Sequence, residues 1–128
     1  MRKITQEFAT SLEEKTNLNK GNTSVQKIGA ASYGYLHNNL IAVFVHNRLH
    51  IRTAGWESNT TKDRLNGLLK WFGIPYAIVQ RNFVWYLYDV ERKETTPLHE
   101  CYKEEPTGAI LFARRFIHFN LTTKKLEL

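Results

Sequence analysis

The chain has little cysteine and no long apolar run, and each shortage excludes a class of protein. Its single cysteine, Cys101, excludes an internal disulfide framework and any zinc or iron–sulfur site that needs several cysteines. No apolar run approaches the ~18–20 residues of a membrane-spanning helix, and the charged start of the chain lacks the apolar core of a signal peptide. We therefore expect a cytoplasmic protein that has no membrane partner.

Acidic residues are scarce in the middle of the chain, where basic residues accumulate. Between residues 16 and 88, eight Lys and Arg residues face only Glu57 and Asp63, and eight minus two gives +6, the formal charge of the whole chain. From residue 89 to residue 105 the balance reverses, with six acidic residues against three basic ones. A magnesium-dependent nuclease needs clustered carboxylates to hold the metal, and two carboxylates in this segment do not favour that activity. The basic balance favours an acidic partner, most commonly nucleic acid.

The length and composition predict one globular domain over residues 1–128, because 42% of the 128 residues are apolar. Its core is expected at about residues 22–88. A charged excursion over residues 89–107 contains Pro97 and Pro106, which interrupt regular structure. A C-terminal β element over residues 108–128 follows, with strand structure in Gly108–Leu121 and a bend at Arg114 and Arg115.

Three turns and one alternating segment predict an antiparallel sheet. The turns are His37-Asn38-Asn39, His46-Asn47-Arg48 and Arg81-Asn82, since asparagine tolerates left-handed backbone angles. In residues 49–53, Leu49, Ile51 and Thr53 alternate with His50 and Arg52. That period of two predicts a strand with one buried face and one face that carries the cations.

One amphipathic helix is the best-defined element of the sequence. Thr60 or Thr61 is expected to cap it, and Gly73 is expected to end it. Its apolar stripe is Leu65, Leu68, Leu69 and Phe72, and its opposite face carries Lys62, Asn66 and Lys70. With a short helix over Thr5–Lys15, the elements predict an α+β fold in which a small antiparallel sheet has one helix packed on a face.

No residue pattern indicates a catalytic, metal or cofactor site. The five histidines form no ligand pair at helical spacing, and the chain has no glycine-rich phosphate loop. His50 is interpreted as a residue of a strand surface rather than a general base. We therefore expect neither enzymatic activity nor a metal or cofactor.

A basic and aromatic segment is the candidate binding site for nucleic acid or another partner. Arginine suits bidentate contacts to phosphate, and an exposed aromatic ring can stack on an unpaired base. Trp56 has two interpretations, because after Gly55 it can also close the end of the core, which we favour. The candidate residues are Arg52, Trp56, Thr61, Lys62, Arg64, Asn66 and Lys70.

The same segment carries a resemblance to a known group of proteins. Gly55–Asn66 reads GWESNTTKDRLN, and it follows a segment like His37–Ala42 and precedes strands like Ile78–Gln80 and Val84–Leu87. This pattern resembles small phage-encoded accessory proteins over about residues 22–87. The resemblance implies a phage protein that works in the host cytoplasm. Because the resemblance ends near residue 87, it implies that the chain from Asp89 onward is an extension. The resemblance implies no particular activity for this chain.

The needs of folding explain some residues of the segment Gly55–Asn66 but not all of them. Gly55 permits a sharp exit from a strand and the threonines start the helix, whereas Arg64 and Asn66 are not required by either. These two residues either contact a partner or bridge to neighbouring strands, and both alternatives stay open.

The sequence thus favours a non-enzymatic protein that acts by binding in host takeover, replication or counter-defence. Its partner is expected to be nucleic acid or an acidic host protein. One alternative is an inhibitor that binds a host or defence protein directly, and another is an enzyme that processes nucleic acid through His50. The oligomeric state is not indicated, and a homodimer is compatible with the aromatic strands.

Overall fold

The computed structural model describes residues 1–104 and 115–127, which form two helices and eleven strands in an α+β arrangement. The predicted fold class is therefore confirmed. The helices are α1 (Lys3–Glu14) and α2 (Asn59–Trp71). The strands are β1 (Leu18–Lys20), β2 (Thr23–Ile28), β3 (Ala31–Leu36), β4 (Asn39–Val45), β5 (Arg48–Ile51), β6 (Tyr76–Arg81), β7 (Val84–Asp89), β8 (Glu94–Pro97), β9 (Lys103–Glu104), β10 (Arg115–Asn120) and β11 (Lys125–Glu127).

The strands form two sheets, and every strand pair that the structure describes is antiparallel. The larger sheet has the order β1-β2-β3-β4-β5-β10-β11, and β9 also pairs with β10. The smaller sheet has the order β6-β7-β8. The predicted C-terminal strand region is represented by β10, whereas residues 108–114 of that prediction lie outside the described residues.

Tight hairpin turns follow from pairs of residues in the left-handed region of the backbone. His37 and Asn38 have φ of 49° and 64°, and His46 and Asn47 have φ of 51° and 58°. Both pairs lie at the predicted turns, because two consecutive positive φ angles match the twist of antiparallel strands. The third turn is shifted by one residue and consists of Asn82 and Phe83, not Arg81 and Asn82.

Helix α2 begins earlier than predicted and ends as predicted. Ser58 is its N-cap, since the Ser58 hydroxyl accepts a hydrogen bond from the Thr61 N–H, and the prediction of Thr60 or Thr61 as the cap is wrong. Gly73 ends the helix with a φ of 69°, and its N–H donates to the carbonyl of Lys70. The predicted apolar stripe is buried in the main core: Leu65, Leu68, Leu69 and Phe72.

Helix α1 packs closely on both α2 and the larger sheet, and two glycines make this approach possible. A Cβ atom on Gly34 of β3 would lie 2.6 Å from the Phe8 ring. A Cβ atom on Gly67 of α2 would overlap the Thr5 methyl group of α1. Neither glycine has a positive φ, so the requirement at both positions is space rather than backbone conformation.

The sheet is buried on both faces over its central strands. One face and the two helices enclose the main core, which also contains Leu98, Ile117 and Phe119, so the packing extends on both sides of residues 22–88. The opposite face carries a second apolar cluster around Tyr33 and Phe116. The expected exposed cationic face of residues 49–53 is wrong for His50, which is 1% exposed because its ring packs against the rings of Phe116 and His118.

Candidate nucleic-acid interface

Arg64 lies inside the protein, where it joins three elements. Its side chain is 3% exposed, and its Nη1 donates to the Thr5 hydroxyl of α1 at 2.9 Å and to the Asp63 carboxylate at 2.8 Å. Its Nε donates to the Thr23 hydroxyl of β2 at 3.2 Å. Burial lowers the pKa of the Arg64 guanidinium, and the adjacent Asp63 carboxylate opposes that effect. Arg64 therefore bridges elements and presents no charge at the surface.

Asn66 and Thr61 also have roles inside the fold. The Asn66 side-chain amide donates to the Ile78 carbonyl at 2.9 Å and accepts from the Ile78 N–H at 2.7 Å, as a neighbouring strand would. It thereby ties α2 to the edge of β6. Thr61 is fully buried beside the Ser58 cap. For Arg64 and Asn66, the structure shows the bridging alternative that the sequence left open.

Arg52 lies apart from the other candidate cations, towards the second apolar cluster. Its Nε donates to the carbonyl of Leu40 at 2.7 Å. Its guanidinium carbon is 5.2 Å from the centre of the Phe116 ring, which is a cation–π distance. The predicted stripe from Arg52 to Lys70 is therefore not one continuous surface.

Trp56 is 51% exposed, so the favoured interpretation that it closes the core is wrong. Ala54 packs against the main core instead, and the Tyr102 hydroxyl accepts a hydrogen bond from the Thr53 N–H at 3.2 Å. These contacts hold the segment before Trp56 against the protein without using the indole ring. The Trp56 ring contacts the His37 ring edge to face, with ring centres 6.4 Å apart.

A chain of polar contacts connects the buried Arg64 to the exposed Trp56. The Thr23 hydroxyl accepts from Arg64 and donates to the Asn22 side chain at 2.8 Å. The Asn22 side-chain nitrogen lies 3.5 Å from Nε2 of His37, whose ring contacts Trp56. The buried network thus supports the turn against which the exposed indole rests.

Lys62 and the β6–β7 hairpin lie at the same end of α2 as Trp56. Lys62 is in the first turns of the helix, where its Nζ is 5.6 Å from the centre of the Trp85 ring and 3.4 Å from the Gln80 side-chain oxygen. Lys62 and Asn66, which the sequence places opposite the apolar stripe of α2, both contact the smaller sheet. Beyond Gln80, Arg81 is exposed and Phe83 at the hairpin tip is 93% exposed.

These residues define a surface at the start of α2, which we call the α2-start surface: His37, Trp56, Lys62, Arg81 and Phe83. Sequence reasoning found Trp56 and Lys62 but missed the other three. The available signal was Phe83 itself, a large apolar residue next to Asn82 in a turn. Lys70 is exposed at the opposite end of α2 and does not belong to this surface.

A buried pair of histidines is the other polar feature that the sequence did not indicate. Nδ1 of His50 in β5 lies 2.6 Å from Nδ1 of His118 in β10, and Nε2 of His118 lies 2.7 Å from the Lys103 carbonyl. A carbonyl only accepts, so Nε2 of His118 donates to it. Two Nδ1–H groups cannot face each other at hydrogen-bond distance, so the rings share one proton there. The pair ties β5, β9 and β10 together, and the strand-surface interpretation of His50 is wrong.

Metal ligands and membrane-spanning helices are absent from the described part of the chain. Within residues 1–104 and 115–127, no three His, Cys, Asp or Glu side chains are grouped as metal ligands would be. Of the helices described, neither α1 nor α2 has the length and apolar character needed to cross a membrane.

Comparison with known proteins identifies the family. The model of the Kyanoviridae Gp96 protein family, a family of phage proteins, matches residues 1–109. The chain belongs to this family. The match includes α1 and continues past Asp89, so the interpretation of residues 89–109 as an extension is wrong. No curated protein and no solved structure matches the chain.

Proposed function

We propose that this phage protein acts by binding single-stranded nucleic acid through the α2-start surface. The observation that carries the proposal is the exposure of Trp56 in a polar loop, although a glycine-released strand end usually buries such a residue. An exposed indole that rests on His37 offers a flat face to an unpaired base. Phe83 at the hairpin tip offers a second aromatic face at the same end of α2.

The charges of this surface suit the backbone of the same ligand. Lys62 of α2 contacts Gln80 of the β6–β7 hairpin, and the next residue of that hairpin, Arg81, has an exposed side chain. Cations beside stacking aromatic rings are the combination that single-strand binding proteins use, because the strand presents phosphates and bases together. The formal charge of +6 favours the approach of such a ligand. The protein would act without catalysis in host takeover, replication or counter-defence.

The salt dependence of binding tests this proposal. For about two phosphate contacts on a single strand, at Lys62 and Arg81, a plot of the logarithm of the association constant against the logarithm of the salt concentration should have a slope near −1.4. Replacing both Lys62 and Arg81 by Gln should remove most of this slope.

Lys70→Gln is the matched control, because it removes a charge from the other end of the same helix, and it should change the slope much less. Thermal melts of each variant check the fold. Absence of binding at ~50 mM salt, or an equal effect of Lys70→Gln, contradicts the proposal.

A second candidate function is direct inhibition of a host or defence protein. Phe83 favours it, because a phenyl ring that is 93% exposed at a hairpin tip can insert into an apolar pocket of a partner. Affinity capture from host lysate distinguishes the two functions. Under the nucleic-acid proposal, nuclease treatment releases the captured partners, whereas a direct protein partner stays bound and is lost with Phe83→Ser.

A further inference from the structure

An open polar groove crosses three strands of the larger sheet, on the face that carries the second apolar cluster. Its volume is about 650 Å³. Asn19 of β1, Ser24 of β2 and Tyr35 of β3 are direct cross-strand neighbours, so their side chains form one row on this face. Gln26 continues β2 beyond this row, and Asn38 from the adjoining turn also lines the groove.

Apart from the apolar residues Leu18 and Val25, the groove is lined by neutral side chains that both donate and accept hydrogen bonds. Within the described part of the chain, the side-chain amides of Asn19, Gln26 and Asn38 have no hydrogen-bond partner. Asn17 uses its side-chain oxygen to accept from the Lys27 N–H, which leaves its NH₂ group to the groove. Burial raises the pKa of Tyr35, so its phenol stays uncharged. None of the side chains that line this groove in the described ranges, 1–104 and 115–127, is charged.

These groups match the edges of unpaired nucleobases better than they match phosphate or an acidic protein. A side-chain amide can pair with a base edge through one donor and one acceptor at once. Phosphates and carboxylates require cations, which the groove does not supply. Aromatic rings and amides together are the groups that read splayed bases in single strands.

The groove and the α2-start surface meet at the His37-Asn38 turn. Asn38 lines the groove, and its neighbour His37 contacts Trp56. Both residues belong to one tight turn with positive φ angles, so the turn holds them next to each other. A strand whose base stacks on Trp56 can therefore continue past the turn into the groove.

We infer that this groove binds the bases of the single strand whose backbone the α2-start surface holds. The inference deepens the proposed function and rests on it. It assigns the protein a ligand with exposed Watson–Crick edges, and it separates base contacts in the groove from backbone contacts at Lys62 and Arg81. Double-stranded nucleic acid, whose base edges are paired, would not fill the groove.

An abasic oligonucleotide tests the inference without any change to the protein. Intact and abasic single strands of equal length carry the same phosphates, so they differ only in what the bases contribute. The wild-type protein should bind the intact strand roughly tenfold or more tightly than the abasic strand. Equal binding of the two strands overturns both the inference and the proposed stacking on Trp56. A preference for the intact strand that Trp56→Ala reduces but substitutions in the groove leave unchanged overturns the inference alone and leaves the proposed function standing. Binding of neither strand overturns both.

Substitutions in the groove test whether the preference for the intact strand over the abasic strand arises there. Asn19→Ala, Gln26→Ala and Asn38→Gly together should reduce the preference for the intact strand several-fold and leave binding of the abasic strand unchanged. Glycine is used at residue 38 because the φ of 64° strains alanine there. Asn47→Gly is the matched control, since it changes the same position of another two-residue turn outside the groove. An unchanged preference in the triple variant, with a normal thermal melt, overturns the assignment of the groove.

Discussion

At the scale of single residues, the segment Gly55–Asn66 contains buried residues that stabilise the fold and an exposed residue that we propose binds a ligand. Arg64 and Asn66 are polar residues that the fold itself uses, because each satisfies backbone or hydroxyl groups of a neighbouring element. Trp56, in the same block, is exposed although it is apolar. Burying a charged side chain and exposing a large apolar side chain are both unfavourable in free energy, so a specific role is expected for each residue. For Arg64 the reason is structural, and for Trp56 we propose ligand stacking.

The first prediction concerns Arg64. Arg64→Ala should lower the free energy of unfolding by about 2–3 kcal/mol, because it leaves the buried Thr5 and Thr23 hydroxyls without their donor. Arg64→Lys should also destabilise the protein, since an ammonium group cannot reproduce the planar set of donors to Thr5, Thr23 and Asp63. Chemical denaturation measures both changes. Lys70→Ala is the exposed control, and an equal loss in that variant would contradict the structural role.

The second prediction concerns Trp56. Because the ring is half exposed, Trp56→Ala should change the free energy of unfolding by only about 0.5 kcal/mol. The same variant should lose about 1–3 kcal/mol of binding to single strands. Denaturation and fluorescence anisotropy measure the two effects separately. A large loss of stability with unchanged affinity for single strands would show that Trp56 stabilises the fold and does not bind the ligand.

The third prediction concerns the Cys101 thiol. Burial, followed by the neighbouring Glu100, raises its pKa, so the native thiol should react slowly with thiol reagents at mildly alkaline pH and faster after unfolding. Because the folded pKa is the higher one, this thiol favours folding less and less as the pH rises through the window between its ordinary and raised pKa values. Comparing reaction rates of native and denatured protein checks this. Equal rates would contradict the burial.

At the scale of elements, the crossing of α1 over α2 depends on the missing side chain at residue 67. Gly→Ala within a helix normally stabilises by about 0.5–1 kcal/mol. At Gly67 we expect the opposite sign, because the added Cβ atom overlaps the Thr5 methyl group.

A second substitution isolates that overlap. Thr5→Ser removes the methyl group and retains the hydroxyl that bonds Arg64 and Asp63. It should therefore restore part of the stability that Gly67→Ala loses, as measured by thermal denaturation of the single and double variants. Strictly additive effects would show that the two elements do not approach as described.

Elements with local determinants are the ones that the sequence predicted well. The turns at His37-Asn38 and His46-Asn47 and the buried stripe of α2 depend on residues within one or two turns of the chain. His50 could not be placed in the same way. Its burial depends on pairing with His118, 68 residues later, and an alternating pattern does not reveal that both faces of a strand are covered.

The candidate site was predicted in part for the same reason. Trp56 and Lys62 are close in sequence, so a local basic and aromatic pattern indicated both. Arg81 and Phe83 join them only because the β6–β7 hairpin packs beside the start of α2 through Gln80 and Trp85. Arg64 was assigned to the surface because its charge was visible in the sequence, whereas its partners Thr5 and Thr23 lie on other elements.

At the scale of the whole molecule, the proposed binding surface lies at one end of the larger sheet, where the two helices and the hairpin turns come together. Helices α1 and α2 cover one face of the larger sheet and enclose the main core. The α2-start surface and the polar groove meet at the His37-Asn38 turn, so the proposed ligand path passes around one end of the sheet. This arrangement leaves the buried network of Arg64 beneath the path as its support.

Ultraviolet cross-linking to a single-stranded oligonucleotide, followed by mass spectrometry of the attached peptides, tests the central claim most directly. Aromatic rings that stack on bases form such cross-links, so the wild-type protein should be labelled at Trp56 and Phe83. Trp71 is the internal control, because it is also an exposed tryptophan but lies at the other end of α2, where its indole N–H donates to Glu13. Labelling at Trp56 and Phe83 without Trp71 is the predicted result, and labelling at Trp71 alone or at no aromatic residue would contradict the account.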